Sequence, residues 1–328
     1  MLLPRSQSWK PTHGAVWWAA IGTLWLASVG SVSGHVAVWH PGMYCLNGTS
    51  GRDDPNTNQI VNPLFQLNES DWWFHHVDKC DEFPPAPGDF LELPANGAFT
   101  VELAVNRAFT TLSYNGMNAG IYPDGQNRIS LSQGRDGKSA CISEPNIHTQ
   151  SQSMASGTAF AISYTSDLTS VTKENLVVFT VLYNTPWQRL ATYSVPNLPA
   201  CPEPEGCICA VSSPGVGYLM GKKTLPTSPS LPRLTSSSTR CGEPNMYMEG
   251  FKCRVTGSTG NASVSQGVPP VWCEDDPDQC VKGAKQMVYW NQLEGNNVFV
   301  SGVDNAGSPK APSYNEKMGF KNGAQTCV

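Results

Sequence analysis

Across 328 residues the chain carries 26 acidic and 21 basic side chains, for a formal charge of -5, and only 14% of its residues are charged. That balance speaks against a nucleic-acid partner. The 30 glycines and 26 prolines give the texture of a turn-rich β protein, and no long stretch of the chain's body repeats its apolar residues every 3.6 positions, so helices are at most minor.

At the start, Arg5 and Lys10 precede the apolar run Ala15 to Val29, and the small residues Ser31, Ser33 and Gly34 follow it. These are the three parts of a signal peptide. About fifteen apolar-rich residues fall short of the roughly 20 that a membrane-spanning helix needs. Residues 1–34 are therefore expected to be removed, with Val32 and Gly34 at the positions a signal peptidase reads. That leaves a secreted, extracellular chain beginning at His35, with 26 acidic against 19 basic side chains and a charge of -7. Eleven cysteines and the acceptor sequons Asn47-Gly48-Thr49, Asn68-Glu69-Ser70 and Asn261-Ala262-Ser263 fit a disulfide-bonded glycoprotein. No apolar tail suggests a lipid anchor at the C-terminus.

From His35 the alternation to Trp39 predicts a short strand, broken at Pro41-Gly42. Asp71-Trp72-Trp73-Phe74-His75-His76 has no clean period and is read as core rather than as an exposed platform. Alternation predicts strands over Phe90–Leu93 and Ala98–Val105, and apolar β-branched and aromatic runs predict them over Gly157–Tyr164, Leu176–Leu182 and Gln188–Val195. Residues 113–150 read as a long surface loop ending at Ile147-His148-Thr149, and Ser166 to Glu174 as a turn or short helix. Cys201, Cys207, Cys209 and Cys253 are expected in disulfides rather than around zinc. Residues 211–240, dense in Ser, Pro, Thr and Leu, read as an atypical insertion. The β-like run Pro244 to Cys253 follows, and residues 256–328 read as a C-terminal extension whose order the sequence leaves open.

A histidine at the chain's first position has chemistry an internal one lacks, because its free α-amine and its imidazole can chelate one metal ion. Imidazole suits copper, and two imidazoles plus the amine make a T-shaped set of three nitrogens. Outside the leader the histidines are His35, His40, His75, His76 and His148. On a strand starting at His35 the side chain of His40 points to the opposite face. His75 and His76 sit beside tryptophans, where a histidine commonly fills and hydrogen-bonds. His148, at the end of a polar loop, is a freer ligand.

The segments His35-Val-Ala-Val-Trp-His-Pro-Gly-Met-Tyr44, Trp72-Trp-Phe-His75, Gly88-Asp89-Phe90-Leu-Glu-Leu-Pro94, His148-Thr149, Ala161-Ile-Ser-Tyr-Thr-Ser-Asp167, Cys207-Ile-Cys209-Ala210 and Tyr247-Met-Glu-Gly-Phe-Lys-Cys253 run in one order. Together they resemble auxiliary activity family 14, the fungal copper-dependent lytic polysaccharide monooxygenases, over roughly His35 to Val255. The resemblance implies an all-β, immunoglobulin-like or fibronectin-like β-sandwich. It also implies one copper ion per chain in a histidine brace: amine and imidazole from His35, the second imidazole from His148, and Tyr247 in the axial position. Disulfides Cys201–Cys207 and Cys209–Cys253 are implied as well. The domain organisation that follows is a signal peptide at 1–34, a copper-binding catalytic domain at 35–255, and the extension at 256–328.

What the resemblance implies about function is oxidative cleavage of plant cell-wall polysaccharide, with xylan-coated cellulose as the insoluble partner. A small-molecule or protein electron donor and hydrogen peroxide or dioxygen would be consumed by a monomeric chain. The alternative is a secreted protein that holds copper in the brace without cleaving polysaccharide. A paired-carboxylate glycosidase is the hydrolytic rival, but the spacing of Asp71, Glu92 and Glu102 singles out no pair. Where the family pattern has a short tryptophan-containing turn, this chain has the 30 residues from Val211 to Arg240, part of which we expect to arise from a mispredicted exon boundary.

Overall fold

The computed structural model describes residues 35–131, 142, 145, 147, 149, 151–214, 245–302 and 310–327. The expected leader, His148, Cys141 and residues 215–244, which take in most of the insertion and Cys241, lie outside them. Among the described residues the strands are β1 (Ala37–Trp39), β2 (Leu46–Thr49), β3 (Leu91–Pro94), β4 (Ala98–Ala104), β5 (Thr158–Ser163), β6 (Val177–Leu182), β7 (Leu190–Ser194), β8 (Cys207–Pro214), β9 (Met246–Thr256) and β10 (Gly323–Ala324). The α-helix α1 (Glu69–Trp72) has four residues, the other helical pieces are 3-10 turns, and no described helix is long and apolar enough to cross a membrane.

Two sheets form the expected β-sandwich: β1-β4-β7 in one and β10-β6-β5-β8-β9-β3 in the other. Neighbours are antiparallel except β3, which runs parallel to β9 with Leu91 opposite Cys253. Aromatic rings join the sheets. Phe99 on β4 and Tyr193 on β7 are register partners that stack at 5.4 Å, and Phe160 on β5 meets them edge-on at 5.0 and 4.8 Å. Such cross-strand pairs stabilise a sheet as well as filling its core.

Strands β5 and β6 of the larger sheet are buried on both faces, which is why they read as continuous apolar runs rather than alternating ones. Phe160, Ile162 and Phe251 point to the space between the sheets, while Ala159, Ala161, Met246 and Met248 point to a second core. That second core contains Trp72 and Phe74, in keeping with the core reading of the aromatic cluster, and also Met287, Val288, Tyr289, Tyr314, Met318 and Phe320. Residues after Val255 therefore cover the outer face of the same sheet, with β10 pairing its edge strand β6. Gly250 on β9 permits the close approach: a Cβ there would meet Phe74 Cδ1 at 2.7 Å.

Disulfides Cys201–Cys207 and Cys209–Cys253 are present as the resemblance implied, together with Cys45–Cys80 and Cys273–Cys280. Cys327 is the free thiol among the described residues, buried and pushed up to about 11 by desolvation. Strand β8 extends to Pro214, so Val211 to Pro214 belong to the sheet and not to the low-complexity stretch that follows them.

Candidate metal centre

His35 is almost fully buried, two residues before β1, and β1 is fixed to β4 through the register Ala37↔Ala104 and the Trp39 indole N–H donating to the Ala104 carbonyl at 2.9 Å. Across from it lies the N-terminal end of β9. A strand's period of two puts Asn245, Tyr247 and Glu249 on one face, and all three meet the N-terminal segment. The Tyr247 and His35 rings are 5.7 Å apart and tilted by 40°. The Asn245 amide is 3.4 Å from His35 Nε2. One step along, the Val38 N–H donates to Glu249 Oε2 at 2.9 Å and Oε1 at 3.1 Å. Burial holds the Glu249 carboxyl well above the usual carboxylate range, with the Val38 N–H opposing that shift.

Of the three residues the sequence singled out as ligands, the structure brings His35 and Tyr247 side by side. His148 is outside the described residues; its neighbours Ile147 and Thr149 are buried, and Thr149 Oγ1 donates to the Ser151 carbonyl at 2.9 Å. Among the described residues no three His, Cys, Asp or Glu side chains converge as a metal site. An imidazole just ahead of β1 beside a phenol on β9 is donor chemistry that fits copper.

The remaining histidines have structural partners. His40 Nδ1 accepts from the Gly42 N–H at 3.0 Å, and burial lowers its pKa while Asp89 opposes. His75 is buried against Asp78 at 3.0 Å and by that hydrogen bond lowers the Asp78 pKa, and His76 contacts Asp81 at 2.8 Å. Of the acids considered for hydrolysis, Glu102 is taken up by Arg189 and by the Thr111 N–H at 3.0 Å. Asp71 lies on α1 and Glu92 on β3. Sequence reasoning missed Asn245 and Glu249, although the period of two around Tyr247 was a signal that could have found both.

The family model for the lytic polysaccharide monooxygenase AA14 matches residues 18–216 and 234–328, leaving unmatched a stretch inside the Ser- and Pro-rich insertion. Among curated proteins, the chain is 35% identical over 312 residues to an AA14 family lytic polysaccharide monooxygenase B of Pycnoporus cinnabarinus, covering 90% of this chain and 70% of that protein. A protein with the same description from Trametes coccinea is also 35% identical, over 90% of this chain; the chain spans 63% of that relative's length. A third, from Talaromyces rugulosus, is 32% identical with 90% of this chain and 93% of the relative covered. The chain belongs to the AA14 family of lytic polysaccharide monooxygenases.

Proposed function

We propose that this copper-dependent polysaccharide monooxygenase acts outside the cell on xylan associated with cellulose, and that one copper ion would be held by the His35 amine and imidazole, the His148 imidazole and Tyr247. The observation that carries the reading is the placement of the His35 ring against Tyr247 at the mouth of β9, in a chain the family model covers on both sides of the insertion. Copper bound there supplies the redox chemistry that, with an external electron donor and hydrogen peroxide or dioxygen, oxidises a glycosidic carbon.

The chain's own residues hold that centre. His35 Nε2 faces the Asn245 side chain, so a chelate with the residue's own α-amine uses Nδ1, the ring nitrogen nearer the backbone. With the amide turned to present its oxygen, Asn245 accepts the Nε2 proton and fixes that tautomer, the usual task of a group behind a ligating histidine. Tyr247 packs beside the ring and limits its rotation.

The test begins with N-terminal sequencing of the secreted protein, which should start at His35. The copper-loaded enzyme, given ascorbate and peroxide, should then release oxidised oligosaccharides from xylan-coated cellulose, identified by mass spectrometry. Release from bare cellulose alone would overturn the xylan assignment. No oxidised product with one copper bound would overturn the substrate reading in favour of copper holding without cleavage, and unchanged copper stoichiometry in His35→Ala would overturn the brace.

A further inference from the structure

Strand β1 is an edge strand, paired with β4 on one side only, and Val38 at its centre is buried. An edge N–H is ordinarily met by water or a neighbouring strand, and a buried one must find an acceptor. Here both oxygens of a carboxyl supply it, from Glu249, itself buried among the residues of β9. A buried carboxyl is costly where an apolar side chain would fill the same space.

Its position explains its use. After β1, backbone bonds fasten the chain to β9: Tyr44 N–H to Gly250 O at 2.9 Å and Lys252 N–H to Gly42 O at 2.9 Å. Before Trp39 that pairing has ended, and side chains from β9 bridge to the N-terminal segment instead. We propose that Glu249 is a positioning residue: through Val38 it sets the height of β1 against β9 and so holds the His35 imidazole beside Tyr247. This rests on the reading of His35 and Tyr247 as metal ligands, but the tether itself is readable without metal.

In the metal-free protein, amide exchange should find Val38 protected, and proton NMR should show cross-relaxation between the His35 and Tyr247 rings. Glu249→Gln keeps an acceptor oxygen and should retain both signals, the copper affinity to within about threefold, and the Cu(II) electron paramagnetic spectrum. Glu249→Leu fills the space without an acceptor. It should lose the ring-to-ring signal, bind copper about 10- to 100-fold more weakly, the range for loss of a group supporting a metal ligand, and shift the spectrum. Retention of the ring signal and wild-type affinity in Glu249→Leu would overturn the proposal. If that variant does not fold, an unprotected Val38 amide in the wild-type protein, or loss of the ring signal in Glu249→Gln, overturns it as well. Failure of the brace reading would appear differently, as a wild-type protein with both metal-free signals intact and no tight copper.

Discussion

Removing the disulfide Cys209–Cys253 should cost stability while sparing the metal centre. The bond closes a loop of 44 residues between two adjacent strands, and both cysteines are fully buried between the sheets. Chain-entropy arithmetic for a loop of that length gives about 4 kcal/mol of stabilisation through restriction of the unfolded chain. Cys209→Ala/Cys253→Ala should therefore lower the unfolding free energy by about 3–5 kcal/mol in urea titration. For a domain of this size that is roughly 10 °C in melting temperature. The β8–β9 ladder continues past the bond from Cys209↔Phe251 to Pro214↔Met246, so Tyr247 stays paired with Ser213 and copper affinity should remain within about threefold of wild type. A loss below about 1 kcal/mol would refute the entropic argument. Full stability with weakened copper binding would refute the idea that the ladder, and not the bond, places Tyr247.

Other perturbations probe separate parts of the molecule. Tyr247→Phe preserves the ring packed on His35 and removes the phenol, so copper should still bind one per chain with an altered electron paramagnetic spectrum; an identical spectrum would exclude an axial role. Phe160→Ala empties the junction of four aromatic neighbours between the sheets and should cost about 3–5 kcal/mol in the same urea titration. Burial first, then the Asp167 and Asp81 carboxylates, push the Tyr44 phenol up to about 12, and burial raises Tyr193 and Tyr314 as well. The folded state favours their neutral forms, so this stability is fully present below the ordinary phenol value of about 10 and is lost as pH rises towards 12. Phenolate absorbance followed against pH should show a late class of tyrosines that ionises together with the loss of circular dichroism; a single transition near 10 with the fold intact would contradict it. Sequencing the transcript should reveal a message lacking at least part of the codons for residues 217–233, the stretch the family model skips, and a message encoding all of them would retire the exon-boundary idea.

Where one side of a strand was exposed or the β-forming residues ran unbroken, the sequence was readable. Strands β4 and β6 fall within two residues of the expected ranges because their ends are marked by turn residues. Strand β8 was read only as a crowd of cysteines, since a segment buried on both faces has no alternation to betray it. Strand β10 is two residues long and exists only through its pairing with β6. The covering role of residues after Val255 depends on scattered side chains such as Met287, Tyr289, Tyr314 and Phe320, whose spacing in sequence has no period because irregular chain carries them. The pairing of His35 with Tyr247 followed from the family resemblance, whereas the residues that hold the two together were not legible. Glu249 and Asn245 look like ordinary polar residues until β1 is laid against β9.

Strand β9 joins these observations. On its inward face Asn245, Tyr247 and Glu249 stand at one end, and Phe251, Cys253 and Val255 at the other. The first three are polar groups buried at a cost, and each of them meets the segment His35 to Val38. The last three are packed in the core between the sheets, with Cys253 bonded to β8 and paired with β3. A strand anchored so heavily at one end can hold unfavourable groups at the other without fraying, because opening the polar end alone recovers little while opening the whole strand forfeits the core. The outward face adds Met246 and Met248 directly behind the polar end, backed by the second core. Rigid placement of Tyr247 and Glu249 thus draws on both cores, and His35, which has only the three-residue β1 beside it, takes its position from β9.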